Sequence, residues 1–481
     1  MPDLQNFING TFSEPSSTSH IDVTNPSTGQ LICRVPDSDE SVVGMALDAA
    51  KAAQPKWANM PAIERARFIR EIAKEVRNRA DELAKVIVEE QGKTLDLARV
   101  EVHFTADYLD YMAEWARRIE GEILSSDRPG ETILLFQRPM GVVVGILPWN
   151  FPFFLIARKL APALVTGNTI VIKPSEETPH NAAKFCEILA KVGLPPGVVN
   201  IVHGRGSTTG EFLCSSTVTD MVSFTGSVAT GSKIMATASR NITKVNLELG
   251  GKAPAIVMRD ADLSLAVKAI RMSRIINSGQ VCNCAERVYV DSKIAEEFSE
   301  SLASAMQATH YGDPLADESV EYGPLINAAG LQKVEKLVHS AVSQGATIVT
   351  GGKRAEQFAR GNFYEPTVLR DCRQGMDIVQ REIFGPVIPI VVIDDLEQAI
   401  SYANDSEYGL TSSIYTRDLN TALKACQELR FGETYINREN FEAMQGFHSG
   451  WRKSGIGGAD GKHGLYEYMQ KQVVYLQRAL D

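Results

Sequence analysis

Two cysteines one residue apart, Cys282 and Cys284 in "NSGQVCNCAERVYV", are the side chains best suited to covalent chemistry. A Cys-x-Cys pair admits four roles: a metal clip, a redox pair, a disulfide partner, or a nucleophile with a bystander. A structural zinc site needs two further Cys or His ligands, usually as a second close pair. The sequence has no such pair and its nearest histidine, His310, lies far downstream, so no metal is expected. A disulfide between residues this close would be badly strained. Inert burial is the competing reading, because free cysteine is among the most buried residue types. Against it stand a carboxylate, Glu248 in "LELGG", a side-chain amide, Asn150 in "PWNFP", and the pair Lys173 and Glu176 in "KPSE". A nucleophile, a carboxylate base and an amide that can hold an oxyanion are the parts of covalent catalysis. Their spacing leaves open whether they meet.

The elements that would position them follow from periodicity. Residues 61–90 read as amphipathic helix, with Phe68, Ile69, Ile72, Ala73 and Val76 at helical spacing. From "ETILLFQRPMGVVVGILPWNFP" onward, β-branched strands alternate with helical stretches: "NTIVIKP", "VVNIVHG", "DMVSFTGS" and "KVNLELGG" each end a strand. The rhythm resumes after Gly251 with "APAIVM", a helix over 262–277, a strand over 287–290 and a helix near 295–308. This βαβ pattern predicts an α/β protein with mostly parallel sheets covered by helices. Two outlying β-like pieces, 121–138 and the C-terminal "KQVVYLQRAL", belong to neither unit and suit sheet edges or subunit contacts.

At 481 residues the chain is too long for one core, and roughly 150 residues per domain suggests about three structural units. A net charge of −10 argues against nucleic acid or an anionic membrane as the main partner. No apolar run is long enough to span a bilayer, and the N-terminal "MPDLQNFINGTFSEP" lacks the pattern of a secretory signal. Seven cysteines, an odd and scattered set, fit reduced thiols, so a cytoplasmic protein is expected.

A parallel α/β fold makes a nucleotide a natural ligand, yet the G-x-G-x-x-G fingerprint is missing. "GRGSTTG" has the wrong spacing, and "GSVATGSK" transposes the lysine and hydroxyl of a phosphate loop. "FTGS" at a strand end keeps two readings open. Gly226 and Ser227 either approach a phosphate at a helix N-terminus or simply make a tight turn.

"PWNFP", "VIKPSE", "FTGS", "LELGGK", "GQVCNC" and "EIFGPV" occur in the order, and at roughly the separations, of the NAD(P)-dependent aldehyde dehydrogenase superfamily, which the chain resembles over essentially its whole length. The segment "INRENFEAMQGFHSGWRKSGIGGADGKHGL" resembles the lactaldehyde dehydrogenase group within it, which also handles glycolaldehyde. The resemblance implies that Cys282 is the nucleophile and Cys284 a spectator, that Asn150 holds the oxyanion, and that Glu248 activates the hydrolytic water. A glutamate there favours release of a free acid over transfer to a CoA thiol. For the cofactor it implies Lys173 and Glu176 at the adenine ribose, Gly226 and Ser227 at the pyrophosphate, and Glu382, Phe384 and Trp149 toward the nicotinamide end. A carboxylate at Glu176 would repel a 2′-phosphate and favour NAD.

Arg158, Asn283, Glu442 and His448 match positions that face the substrate and could bond a 2-hydroxyl. An ordinary surface ion pair is the competing reading of Arg158. An anionic semialdehyde, such as succinate semialdehyde or sulfolactaldehyde, is the alternative substrate. A member recruited as a non-catalytic structural protein would be free to lose Cys282 or Glu248, and this chain keeps both. By the same resemblance, 1–120 and 139–247 form an NAD-binding domain and 248–450 a catalytic domain. Residues 121–138 and 465–481 form an oligomerisation extension, with a homotetramer favoured.

Overall fold

The computed structural model describes residues 3–13 and 19–479. Parts of the N-terminal stretch (1–2 and 14–18) and the last two residues of the expected extension lie outside the described residues.

The alternating pattern builds two sheets. The first has eight strands in the order Gly455–Ile456, Lys244–Leu249, Met221–Gly226, Val142–Ile146, Thr169–Lys173, Val199–Ile201, Asn6–Ile8 and Thr11–Ser13. The inner strands run parallel, while Gly455–Ile456 and Asn6–Ile8 pair antiparallel at the two flanks. Strands with apolar residues at every position are buried on both faces. Val143, Ile170 and Ile172 enter one core, and Val142, Val144, Val171 and Val222 enter the other. The second sheet has seven strands in the order Thr347–Thr350, Thr367–Arg370, Val387–Ile393, Arg287–Asp291, Pro254–Val257, Thr411–Tyr415 and Glu433–Ile436, parallel except for Thr347–Thr350. It is likewise covered on both sides. The protein is therefore α/β, with two mainly parallel sheets.

The two outlying pieces pair with each other. Met469–Gln477 and Glu122–Ser125 flank Glu131–Pro139 in a small antiparallel sheet. The sequence boundary drawn at 248 falls inside the strand Lys244–Leu249, which stays whole in the first sheet. Residues 61–90 form two helices, Ala62–Asn78 and Ala80–Gln91, rather than one. Arg79 leaves helical geometry between them, and Asp81 and Glu82 supply the acidic first turn of the second. Among the described residues no helix is long and apolar enough to cross a membrane.

The two sheets are joined through loops at the ends of their strands. Residues just past the carboxyl ends of first-sheet strands touch residues just before the amino ends of second-sheet strands. Asn150 Nδ2 donates to the Gln280 carbonyl at 3.0 Å, and the Gly251 N–H donates to Glu382 at 3.0 Å. Within the first sheet the chain runs from Val142–Ile146 to Thr169–Lys173 on one side and later to Met221–Gly226 on the other. The crevice at this reversal is where ligands gather in open α/β sheets.

Beside that seam lies a buried ion cluster. Glu286 accepts from Lys252 at 2.7 Å, from Arg274 at 2.8 Å, and from the backbone N–H groups of Ile383 and Phe384. Arg274 also donates to the carbonyls of Gly279, Ala285 and Gly385. Removing one partner of a buried pair strands the other charge and costs about 3–5 kcal/mol. Arg274→Met is therefore expected to lower the unfolding free energy by about that much in urea titrations. Lys74→Met, which breaks an exposed pair with Glu71, should change it by less than about 1 kcal/mol. Equal effects would refute the special standing of the cluster.

Candidate active site

Cys282 sits on the loop between the helix Leu263–Ile275 and the strand Arg287–Asp291. Three consecutive residues, Asn277, Ser278 and Gly279, take left-handed backbone conformations and turn the chain sharply ahead of it. Glycine is required at the third, because a Cβ there would lie 2.3 Å from the Gly385 carbonyl oxygen. Polar side chains fasten the other two, with Ser278 Oγ donating to the Gly323 carbonyl and Asn277 Nδ2 to the Asn150 carbonyl. The loop separates the two thiols. Cys282 is half-buried and lines a cavity of about 270 Å³. Cys284 is buried, donates to the Val281 carbonyl at 3.0 Å, receives Arg274 at 3.2 Å, and has its thiol pushed up to about 12, mainly by burial.

Asn150 follows the strand Val142–Ile146 and precedes the helix Pro152–Thr166, whose every residue is buried. Its carbonyl is held by Lys93 Nζ at 2.8 Å as well as by Asn277. Lys93 pairs with Glu101 at 2.5 Å, and the other Glu101 oxygen caps the helix by accepting from the N–H groups of Phe153 and Phe154. A carboxylate placed there matches the positive end of the helix. The Asn150 amide gives one hydrogen to Gln280, and a primary amide has a second to offer.

Glu248, at the carboxyl end of Lys244–Leu249, is buried in the same cavity. Its Oε2 accepts from Lys159 at 3.1 Å and from Thr225 at 2.7 Å, while Oε1 has no partner among the described residues. Burial opposes its charge, but Lys159, Arg158, His448 and Thr225 outweigh that and bring its pKa down to about 2.

Arg158, Asn283, Glu442 and His448, the residues expected to face a substrate, all line the cavity. Arg158 is no surface ion pair. It is buried, grips Asp460 with two nitrogens and reaches Glu442 at 3.4 Å. Asn283 Nδ2 donates to the other Glu442 oxygen, so its Oδ1 points away from the carboxylate and is left without a partner among the described residues. His448 Nδ1 meets Glu433 at 2.6 Å.

Of the residues expected at the nucleotide, Trp149, Gly226, Ser227, Glu382 and Phe384 line the same cavity. A Cβ on Gly226 would strike the Phe224 ring at 2.4 Å, and one on Gly250 would strike the Glu382 carboxylate at 2.6 Å, so a side chain at either position would crowd this part of the cavity. Ser227 caps the helix Val228–Ala238, whose first N–H groups can meet an anion. Trp149 and Phe384 pack edge to face at 5.5 Å. Lys173 and Glu176 stand apart from the cavity at the end of the neighbouring strand, paired at 3.1 Å, with Glu176 also accepting from the Gly206 N–H. Close-packed glycines, a capped helix N-terminus and a Lys–Glu pair at strand ends of the first sheet fit a dinucleotide.

The structure thus brings every candidate except Lys173 and Glu176 into one cavity. Sequence reading missed Lys159, Thr225, Glu433 and Asp460, whose partners lie tens to hundreds of residues away. Lys159, immediately after Arg158, gave the one local signal, a second cation in an apolar helix.

This fold, with a thiol, an amide and a carboxylate around one cavity, defines a class: residues 12–474 match the aldehyde dehydrogenase family. The chain belongs to that family and is an oxidoreductase. It is 63% identical to lactaldehyde dehydrogenase of Escherichia coli K12 over 471 residues, covering 98% of each chain. It is 43% identical to 3,6-anhydro-alpha-L-galactose dehydrogenase of a Vibrio species, covering 99% of each. A crystal structure of lactaldehyde dehydrogenase from E. coli matches with a TM-score of 0.98 and 62% identity over 99% of both chains. A betaine aldehyde dehydrogenase from Staphylococcus aureus in complex with NAD+ matches at 0.96 and 33% identity, over 98% of this chain and 95% of that one.

Lys159 is the first of the charges that hold Glu248 ionised. In Lys159→Met the carboxyl should titrate at higher pH, so the acid limb of the pH–rate profile moves upward. An unmoved limb would mean that Lys159 does not set the ionisation of Glu248.

Proposed function

We propose that the chain oxidises lactaldehyde, and with it glycolaldehyde, to the free carboxylic acid with NAD. The observation that carries this is the shared cavity of Cys282, the Asn150 amide and the unpartnered Oε1 of Glu248. Cys282, as thiolate, adds to the aldehyde carbon, and the carbonyl oxygen becomes an oxyanion. The second N–H of Asn150 and the backbone N–H of Cys282 receive it. When bound, NAD supplies the acceptor for the hydride leaving that carbon, and a thioester to Cys282 remains. Glu248, ionised at neutral pH, orients a water through Oε1 and takes its proton as the water attacks the thioester. The acid departs and the thiol is regenerated. Cys284, deep and protonated, takes no part.

Gly226, Ser227 and the start of the helix Val228–Ala238 hold the pyrophosphate. Lys173 and Glu176 hold the adenine ribose, and Glu382, Phe384 and Trp149 flank the nicotinamide riboside. Glu176 is held as a carboxylate by Lys173 even though burial works against it, and it opposes a 2′-phosphate.

A 2-hydroxyl suits the substrate end. Asn283 Oδ1, beside the nucleophile, has no donor among the described residues, and a hydroxyl supplies one. Arg158 is already balanced by Asp460 and Glu442, so an anionic semialdehyde would meet no spare cation there. The small sheet carries exposed apolar residues, including Ile123 at 79% and Tyr475 at 66% exposure, which subunit contacts would cover. It forms the joint of a homotetramer working in the cytoplasm.

NADH formation should show higher kcat/KM for lactaldehyde and glycolaldehyde than for succinate semialdehyde or an unsubstituted aldehyde of similar size. Cys282→Ala should abolish turnover, and Asn150→Ala should lower it by about 100- to 1000-fold. Full activity in Cys282→Ala would end the mechanism, and a preference for the semialdehyde would reassign Arg158. Glu176→Gln should raise the NADP-to-NAD ratio of kcat/KM by about tenfold or more, since a like charge is removed.

A further inference from the structure

Asp460 is not among the residues that line the cavity, yet its carboxylate is committed to one that does. It lies in "GGADGKHG", a glycine-rich turn, with φ at +68° and ψ at 164°. A residue with a side chain is strained in that conformation, and glycine is not. Asp460 also directly precedes the helix Gly461–Glu467, where an aspartate ordinarily caps the first N–H groups, but its side chain makes no such bond. Both oxygens turn instead to Arg158. Nε donates to Oδ1 at 3.0 Å, and Nη2 donates to Oδ2. The two side chains are buried, so this is a two-pronged ion pair closed to solvent. Strained backbone persists only where its surroundings over-determine it. Here the determinant is a carboxylate behind Arg158.

Arg158 also reaches Glu442 at 3.4 Å, so one guanidinium faces two carboxylates. The other buried pairs around the cavity match one basic group to one carboxylate, Lys159 to Glu248 and His448 to Glu433. Burial works against the charge of Arg158, and Asp460, Glu248 and Glu442 outweigh it. The group of Arg158, Asp460 and Glu442 thus carries one negative charge too many. Without Asp460, Arg158 and Glu442 would balance. An aldehyde with a carboxylate at its far end would bring a third negative charge to one arginine, and like charges repel strongly where water is scarce. A hydroxyaldehyde brings none.

We propose that Asp460 sets the charge class of the substrate: from behind Arg158 it cancels the guanidinium's pull on anions, so neutral hydroxyaldehydes are taken and aldehydes bearing a carboxylate are refused. It is a positioning residue and touches no substrate. This deepens the proposed function and rests on Arg158 facing the substrate.

The test compares kcat/KM of the full-length enzyme with NAD for lactaldehyde, succinate semialdehyde and an unsubstituted aldehyde of similar size. Wild type, Asp460→Asn and Asp460→Gly are measured. The asparagine keeps the volume, the glycine suits the backbone, and thermal unfolding midpoints show that each variant is folded. In both, the ratio of kcat/KM for the semialdehyde to that for lactaldehyde should rise by about tenfold or more, through a lower KM for the semialdehyde. The unsubstituted aldehyde should gain nothing, and adding Arg158→Met should erase the gain. If the wild type prefers lactaldehyde and the ratio stays put in a folded variant, or all three aldehydes decline together, Asp460 is purely structural and the proposal is overturned. A gain that survives Arg158→Met overturns it too. If the wild type already prefers the semialdehyde, the proposed choice of substrate fails, and this proposal with it.

Discussion

One buried contact, Arg274 against Glu286, carries the geometry of the whole seam. Arg274 takes carbonyls on both sides of Cys282, at Gly279 and Ala285, and that of Gly385 beyond. Glu286 takes the N–H groups of Ile383 and Phe384. The loop bearing Cys282 and the loop bearing Glu382 and Phe384 are thus stitched to one ion pair. Neither loop has regular backbone pairing of its own, and irregular backbone buried without partners is costly. The pair acts together with the Ser278, Asn277 and Asn150 hydrogen bonds on one loop and the Gly251–Glu382 bond on the other.

The cavity itself is a set of balanced charges. Glu248 faces Lys159, Arg158 faces Asp460 and Glu442, and His448 faces Glu433. Among side chains this buried an unpaired charge would shift its protonation state to escape the penalty. The pairs fix those states in advance, and they leave a few uncommitted atoms, Glu248 Oε1 and Asn283 Oδ1 among them, for reactants. Preorganisation of this kind is what lets polar groups act strongly on a developing charge.

Local signals made part of this readable from sequence. Strand ends rich in glycine and proline located Asn150, Gly226 and Glu248, because ligands in such sheets collect at carboxyl ends of strands. Cys282 was distinguishable from Cys284 only through resemblance, since burial decides between them and spacing does not encode burial. Asp460 and Glu433 were illegible for a different reason. Each earns its place through a partner on another element, 302 residues away for Asp460 and Arg158, and no period in the sequence records such a meeting. The single helix expected over 61–90 failed at Arg79, where the apolar stripe continues but the backbone does not.

The strands Lys244–Leu249 and Gly455–Ile456 are antiparallel neighbours, with Glu248 opposite Gly455. Everything between them, including the entire second sheet, is an insertion into what would otherwise be a short link between two paired strands. Both ends of that insertion are moored at the strand pair that carries Glu248. A swing of the inserted unit would therefore drag on Glu248 itself, so Cys282 and Glu248 are leashed to each other by the chain path as well as by their packing.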